Sequence, residues 1–192
     1  MRIEYPNITL ESLERLLNER FNEGFLTLRD LPLPSAFKDM VKATNRIVKA
    51  IQNREKIALI GDYDVDGVVS TTLMVRFFEE IDYPIEWIIP NRFKDGYGLS
   101  SQLIPRIVGS DLVITVDNGI SAIEAAKRCK EEGIDLIITD HHIPTEILPE
   151  AYAIVNQKQD TCTFPYHEVC GAQIAWYLIA SLKNALDVKI DM

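Results

Sequence analysis

The chain has no apolar run approaching the roughly 20 residues that a membrane span needs, and its N-terminus lacks the layout of a signal peptide. Neither membrane embedding nor export is expected. Cysteine is scarce: Cys129, Cys162 and Cys170 are the only three, and no two form a CxxC pair. An odd number without a leader predicts free thiols in a reducing cytoplasm rather than a disulfide framework. Cys162, His167 and Cys170 lie close enough in sequence to suggest zinc, but no fourth ligand is near them, and ordinary packing is expected. Positive charge is also in deficit: 20 Lys and Arg stand against 29 Asp and Glu, a net charge of −9. By itself this argues against a broad basic surface for nucleic acid. Several of the negative charges cluster, however, where bound metal would offset them, so the balance says little about the substrate. Internal repeats and low-complexity segments are absent as well. What remains, 192 residues of which 47% are hydrophobic and 26% charged, suits one compact domain with a sizeable core.

The chain is organised around the stretch Ile57-Ala-Leu-Ile-Gly-Asp62-Tyr-Asp64-Val-Asp66-Gly67. The apolar residues predict a buried strand, Gly61 a turn, and Val68 to Phe78 a buried helix, the first half of a βαβ unit. Carboxylates this close repel: at about 4 Å and an effective dielectric near 20 each pair costs roughly 4 kcal/mol. Protons or a divalent cation would relieve that, and at neutral pH the cation is the expected answer.

Leu10, Leu13, Leu16, Leu17 and Phe21 predict a short amphipathic helix closed by Asn22-Glu-Gly24, and Leu31-Pro-Leu-Pro34 an extended connector. Residues 1–34 are thus expected to form a helical extension. Ser35 is the expected cap of a second helix carrying Phe37, Met40, Val41, Ile47, Val48 and Ile51. Past the opening unit, strands are predicted at 85–89, 111–117, 135–140 and 151–155, and helices at 100–108, 121–132 and 171–186. Near-continuous Val, Ile and Leu strands alternating with helices predict an α/β fold: an open, mostly parallel sheet with helices on both faces.

Each predicted strand ends in polar residues: Asp62, Asp64 and Asp66, then Asn91 and Arg92, then Asp117, then Asp140-His141-His142, then Asn156. In an open parallel sheet all carboxyl ends share one edge, where ligands bind, so these residues should converge. Each has an ordinary alternative. Asp117 suits a helix N-cap, and the two histidines suit a solvated loop. The joint pattern fits a metal site far better. A calcium loop would need a Glu at its twelfth position, where Leu73 stands, and a helix rather than a strand ahead of it. Asp64-Val-Asp66-Gly67 is also similar to the nucleophile motif of haloacid-dehalogenase-like phosphatases, which have no use for Asp140-His-His142. A response-regulator domain needs neither the histidine pair nor the third turn aspartate.

Asp64-x-Asp66, Val116-Asp-Asn-Gly119 and Asp140-His-His142 resemble the first three motifs of the DHH phosphoesterase superfamily. Within it, Gly61-Asp-Tyr-Asp-Val-Asp-Gly67, Pro90-Asn-Arg-Phe-Lys-Asp-Gly-Tyr-Gly-Leu99 and Val169-Cys-Gly-Ala172 are similar to the RecJ family of single-strand-specific 5′→3′ DNA exonucleases. The resemblance covers residues from about 40 to 185. It departs at Gln157, where that family usually has Pro, and at Gln173, where it usually has Gly. The family's fourth metal-binding Asp, its second domain and its oligonucleotide-binding module are not met before Met192. Residues 35–192 are therefore expected to be a DHH domain cut before the fourth metal motif, with little nuclease activity by itself.

The resemblance implies an enzyme releasing mononucleotides from single-stranded DNA in repair and recombination, with repair or replication proteins as partners. The alternatives are a DHH hydrolase of short oligonucleotides, cyclic dinucleotides or small phosphates, and a non-catalytic scaffold of a replication or repair complex. It implies Asp64, Asp66, Asp117 and His141 as metal ligands, with Asp117 bridging two cations. Asp62 and Asp140 would orient His141 and the turn. An oxygen-rich set with one imidazole suits Mn²⁺ or Mg²⁺ better than Zn²⁺. Two such cations would activate water and stabilise in-line displacement at phosphorus. His142, Arg92 and Asn156 would hold the phosphate, with backbone N–H groups at Gly171 adding to the anion site. Tyr97, between two glycines, could stack on a base, or simply pack in a turn.

Overall fold

The computed structural model describes residues 9–20 and 30–190. The chain divides after Pro32 into two compact units. In the first, helix α1 spans Leu10–Arg20. Its start is held by a reciprocal pair in which Thr9 N donates to Ser12 Oγ (2.8 Å) and Ser12 N to Thr9 Oγ1 (3.1 Å), satisfying amides that no helical carbonyl reaches. Leu10, Leu13 and Leu16 are exposed on it. Phe21 and the expected Asn22-Glu-Gly24 stop lie outside the described residues.

The second unit opens with a 3₁₀ turn, Pro34–Ala36, and continues through α2 (Met40–Asn53), β1 (Ile57–Ile60), α3 (Val65–Glu80), β2 (Glu86–Ile88), α4 (Ile104–Ile107), β3 (Leu112–Val116), α5 (Ile123–Glu131), β4 (Asp135–Thr139), β5 (Ala153–Val155) and α6 (Gly171–Leu186). The strands form one fully parallel sheet in the order β2-β1-β3-β4-β5. Two expectations need correction. Ser35 does not cap α2: it lies in the 3₁₀ turn, and the helix starts after Asp39, whose carboxylate instead accepts from Ile154 N at 3.1 Å. The helix expected from residue 100 begins only at Ile104, because Pro105 fits just the first turn of a helix.

Alternation along the strands supplies two cores. Leu59, Ile114, Ile137 and Val155 face α2, α3 and α6, while Ala58, Ile60, Val113 and Ile138 face α4 and α5. Both sheet faces are therefore covered, which is why the strands read as continuous apolar runs. None of the helices among the described residues is long and apolar enough to cross a membrane. The strand order reverses at β1: one crossover leaves it for β2, and the next passes back over it to β3. The crevice at such a switch point, beyond the carboxyl ends of β1 and β3, is the ligand position of open parallel sheets.

Candidate metal centre

Asp62 directly follows the turn out of β1 and is buried, its Oδ1 accepting from Tyr63 N at 2.7 Å. Gly67 packs on its backbone, where a Cβ would come within 2.7 Å of the Asp62 Cα. Asp64 is the N-cap of α3, with Oδ1 accepting from Gly67 N at 2.9 Å. The capping role and a position in the carboxylate cluster thus coincide in one residue. Asp66, in the first turn of α3, reaches across to α6 and accepts from Gly171 N (2.6 Å) and Ala172 N (2.8 Å). Burial pushes the Asp66 carboxyl up, but those two amides, together with the Cys170 thiol and His141, outweigh it and hold the group below its ordinary range.

Asp117 closes β3 with a left-handed backbone (φ 62°) and is 1% exposed. Neither of its carboxylate oxygens accepts a hydrogen bond. His141 Nε2 lies 3.1 Å from Asp117 Oδ1 and 3.5 Å from Asp66 Oδ2, the closer approach lacking the alignment of a hydrogen bond. Burial raises the Asp117 carboxyl to about 6, with His141 opposing and the charges of Asp66 and Asp64 adding. His141 is itself raised by its proximity to Asp117. Asp62, Asp64 and Asp117 each bring one oxygen within 4.8 Å of the others, and Asp117, His141 and His142 converge in the same way. A buried carboxylate that accepts no hydrogen bond, ringed by carboxylates and imidazoles, is a set of donors that could hold a hard divalent cation.

Asp140 does not orient the His141 ring, as expected, but that of His142. Its Oδ1 sits 2.7 Å from His142 Nδ1 and also accepts from the amides of His141 (2.7 Å) and His142 (3.0 Å), while Oδ2 accepts from Ile120 N (2.8 Å). Burial raises the Asp140 carboxyl, yet these bonds prevail and hold it low. Two expected phosphate ligands are otherwise engaged. Asn156 is fully buried, its Nδ2 donating to His142 O (2.9 Å) and its Oδ1 accepting from Lys158 N (2.7 Å). The Gly171 amide is taken by Asp66, and Gly171 packs so tightly that a Cβ would lie 2.2 Å from Asp117 Oδ1. Arg92 is exposed, its guanidinium carbon 5.7 Å from the centre of the Tyr63 ring. Tyr97 stands edge-on to Tyr63 (6.0 Å) and His142 (6.2 Å). Burial and the Asp62 carboxylate raise its phenol, so it stays protonated.

Sequence reasoning quoted Asn118 within Val116-Asp-Asn-Gly119 but gave it no role. It is fully buried and uses every hydrogen-bonding group of its side chain. The available signal was a polar residue at the end of a continuous apolar strand.

A family model described as the DHH family, N-terminal domain, matches residues 56–191. The chain is 44% identical over 162 residues to the single-stranded-DNA-specific exonuclease RecJ of Bacillus subtilis, covering 83% of this chain and 21% of that protein. It is 38% identical over 189 residues to the Escherichia coli enzyme of the same name, covering 97% of this chain and 31% of that one. A crystal structure of exonuclease RecJ bound to manganese superposes with a TM-score of 0.74 at 29% identity, covering 86% of this chain and 41% of that one. The chain thus spans between a fifth and a third of the length of these curated relatives. Every carboxylate and imidazole of the cluster lies inside the matched residues, and the protein belongs to the DHH family.

Proposed function

We propose that this chain is the metal-binding part of a RecJ-like enzyme that hydrolyses single-stranded DNA from its 5′ end, acting in the cytoplasm among proteins of repair or replication. Asp117 carries the reading. It is a buried carboxylate beside other carboxylates that accepts no hydrogen bond and has only His141 at 3.1 Å, an arrangement a bound cation would complete. Asp64, Asp66, Asp117 and His141 would hold Mn²⁺ or Mg²⁺, and the proximity of Asp62 to Asp64 and Asp117 supports adding it to them. When bound, such cations lower the pKa of water and neutralise charge on a phosphodiester. Asp140 fixes the tautomer of His142, so that His142 Nε2 is the nitrogen left to meet a phosphate oxygen. The Arg92 guanidinium offers a second, forked donor. Tyr97, kept neutral by its surroundings, can donate a hydrogen bond or stack on a base. In this reading residues 35–192 are the DHH domain and residues 1–34 a helical extension.

The test has two arms. Calorimetric titration with Mn²⁺ should show binding that Asp117→Asn weakens by roughly a hundredfold or more. In a protein of the relatives' length carrying this chain, Mn²⁺ should support mononucleotide release from 5′-phosphorylated single strands and not from duplex. Unaltered Mn²⁺ affinity in the variant, or equal attack on duplex, would sink the proposal.

A further inference from the structure

Asn118 joins three separate pieces of the carboxyl edge. Its Nδ2 donates to Ile60 O (3.1 Å), the last residue of β1, and to Val116 O (2.9 Å), the last of β3. Its Oδ1 accepts from Leu99 N (2.9 Å) in the loop that follows β2. The two carbonyls and the amide leave only one orientation of the side-chain amide, since a flipped group would set oxygen against oxygen and N–H against N–H. Its own carbonyl is held by Thr115 Oγ1 at 2.6 Å. Gly98 (φ 53°) lies so close over it that a Cβ there would be 2.7 Å from Asn118 Oδ1.

The topology explains what this arrangement serves. Because β2 and β3 flank β1 on opposite sides, the connection between them must pass over β1, and Asn118, bonded to both Ile60 O and Leu99 N, sets its Leu99 end beside the carboxyl end of β1. That crossing segment carries Arg92 and Tyr97. Near its start it folds on itself, with Asn91 Oδ1 accepting from Phe93 N (3.0 Å) and Lys94 N (3.2 Å) and Asn91 N donating to Asp95 Oδ2 (2.8 Å). Such bonds shape the loop without tying it to the sheet. The Leu99–Asn118 bond fastens it to the residue next to Asp117.

We propose that Asn118 is a positioning residue that locks the Arg92–Tyr97 loop in register with the Asp117 cluster, so that a nucleic-acid strand held by the loop meets the cations at a set depth. This rests on the DNA-hydrolase reading above. Asn118→Ala should speed hydrogen exchange of the segment 96–100 by about tenfold or more, with the centre of β3 unchanged. In a protein of the relatives' length, KM for single-stranded DNA should rise roughly tenfold while kcat and Mn²⁺ affinity stay within about threefold. Gly98→Ala leaves Asn118 in place but forces the loop off it, and should reproduce the KM effect. If Asn118→Ala fails to fold, Gly98→Ala decides. Unchanged exchange, an unchanged KM, or a loss confined to Mn²⁺ affinity would each overturn the proposal. If the parent protein hydrolyses no DNA at all, the functional reading fails, and exchange at 96–100 still judges the lock.

Discussion

At Asp117 the left-handed backbone and two buried oxygens that accept no hydrogen bond mean that chemistry and stability oppose one another. The rise from 3.8 to about 6 corresponds to roughly 3 kcal/mol against the charged form. A raised carboxyl favours the folded state below its unfolded pKa, and that contribution is lost as pH rises through about 6. With metal chelated, Asp117→Asn should therefore melt at or above the parent at pH 7.5, the advantage shrinking as pH falls from 7 to 4. Saturating Mn²⁺ should reverse the order, since only the parent gains from binding. Asn is the better probe than Ala, because it tolerates positive φ. A variant melting far below the parent under chelation would make Asp117 a structural residue. The thiols give a second prediction at this scale. Cys129 is buried and pushed up to about 11, whereas Cys170 is exposed. Iodoacetamide should label Cys170 and spare Cys129 in the native protein, as read by mass spectrometry.

Among the elements, α3 and α6 meet at their N-termini through Asp66, a residue of one helix that caps the other. Against burial, which raises it, the two charge-assisted amide bonds, the Cys170 thiol and the nearby His141 hold the Asp66 carboxyl low. Gly171→Ala should disturb this junction most. The added Cβ would lie 2.6 Å from both Asp117 Cβ and Cγ, which cannot swing aside as a flexible tip would. A loss of about 1–3 kcal/mol is expected, together with weakened Mn²⁺ binding. Denaturant titration and calorimetry check the two, and a variant with parental values in both would show that the junction yields freely.

Across the whole molecule, the edge opposite the site is closed by Arg46 of α2. Its Nε lies 2.6 Å from Asp135 Oδ2 at the start of β4, its Nη1 2.7 Å from Glu55 Oε2, and its Nη2 donates to Asp111 O at 3.4 Å. Arg46 is 7% exposed, while the Asp135 side chain keeps 44% and Glu55 19% of its exposure, so losing Arg46 leaves two partly buried acids without their cation. Arg46→Ala should cost about 1–3 kcal/mol, through lost packing of the stem and partly buried acids left unpaired, and Arg46→Met less because it keeps that packing. Mn²⁺ affinity should not change in either, since the network lies at the far end of the strands. Equal stability of Arg46→Ala and parent would refute the role.

The parallel sheet, its strand sites and the convergence of Asp64, Asp66, Asp117 and His141 were legible in the residues. Period and apolar runs are local properties, and carboxyl ends of parallel strands share one edge whatever the strand order. Ser35 misled because a cap depends on which residue the backbone can turn at, and the turn occurs at Asp39. The partners of polar side chains were not legible at all. That Asp66 rather than a phosphate takes the Gly171 amide, that Asn156 is spent on His142 O, and that Asp140 serves His142 are matters of distance between loops from different strands. The same holds for Asn118, whose three partners lie at residues 60, 99 and 116. Residue type and spacing determined which chemistry gathers at this edge. Only the packing of the loops decided which group faces which, because a hydrogen bond is settled within a few tenths of an ångström.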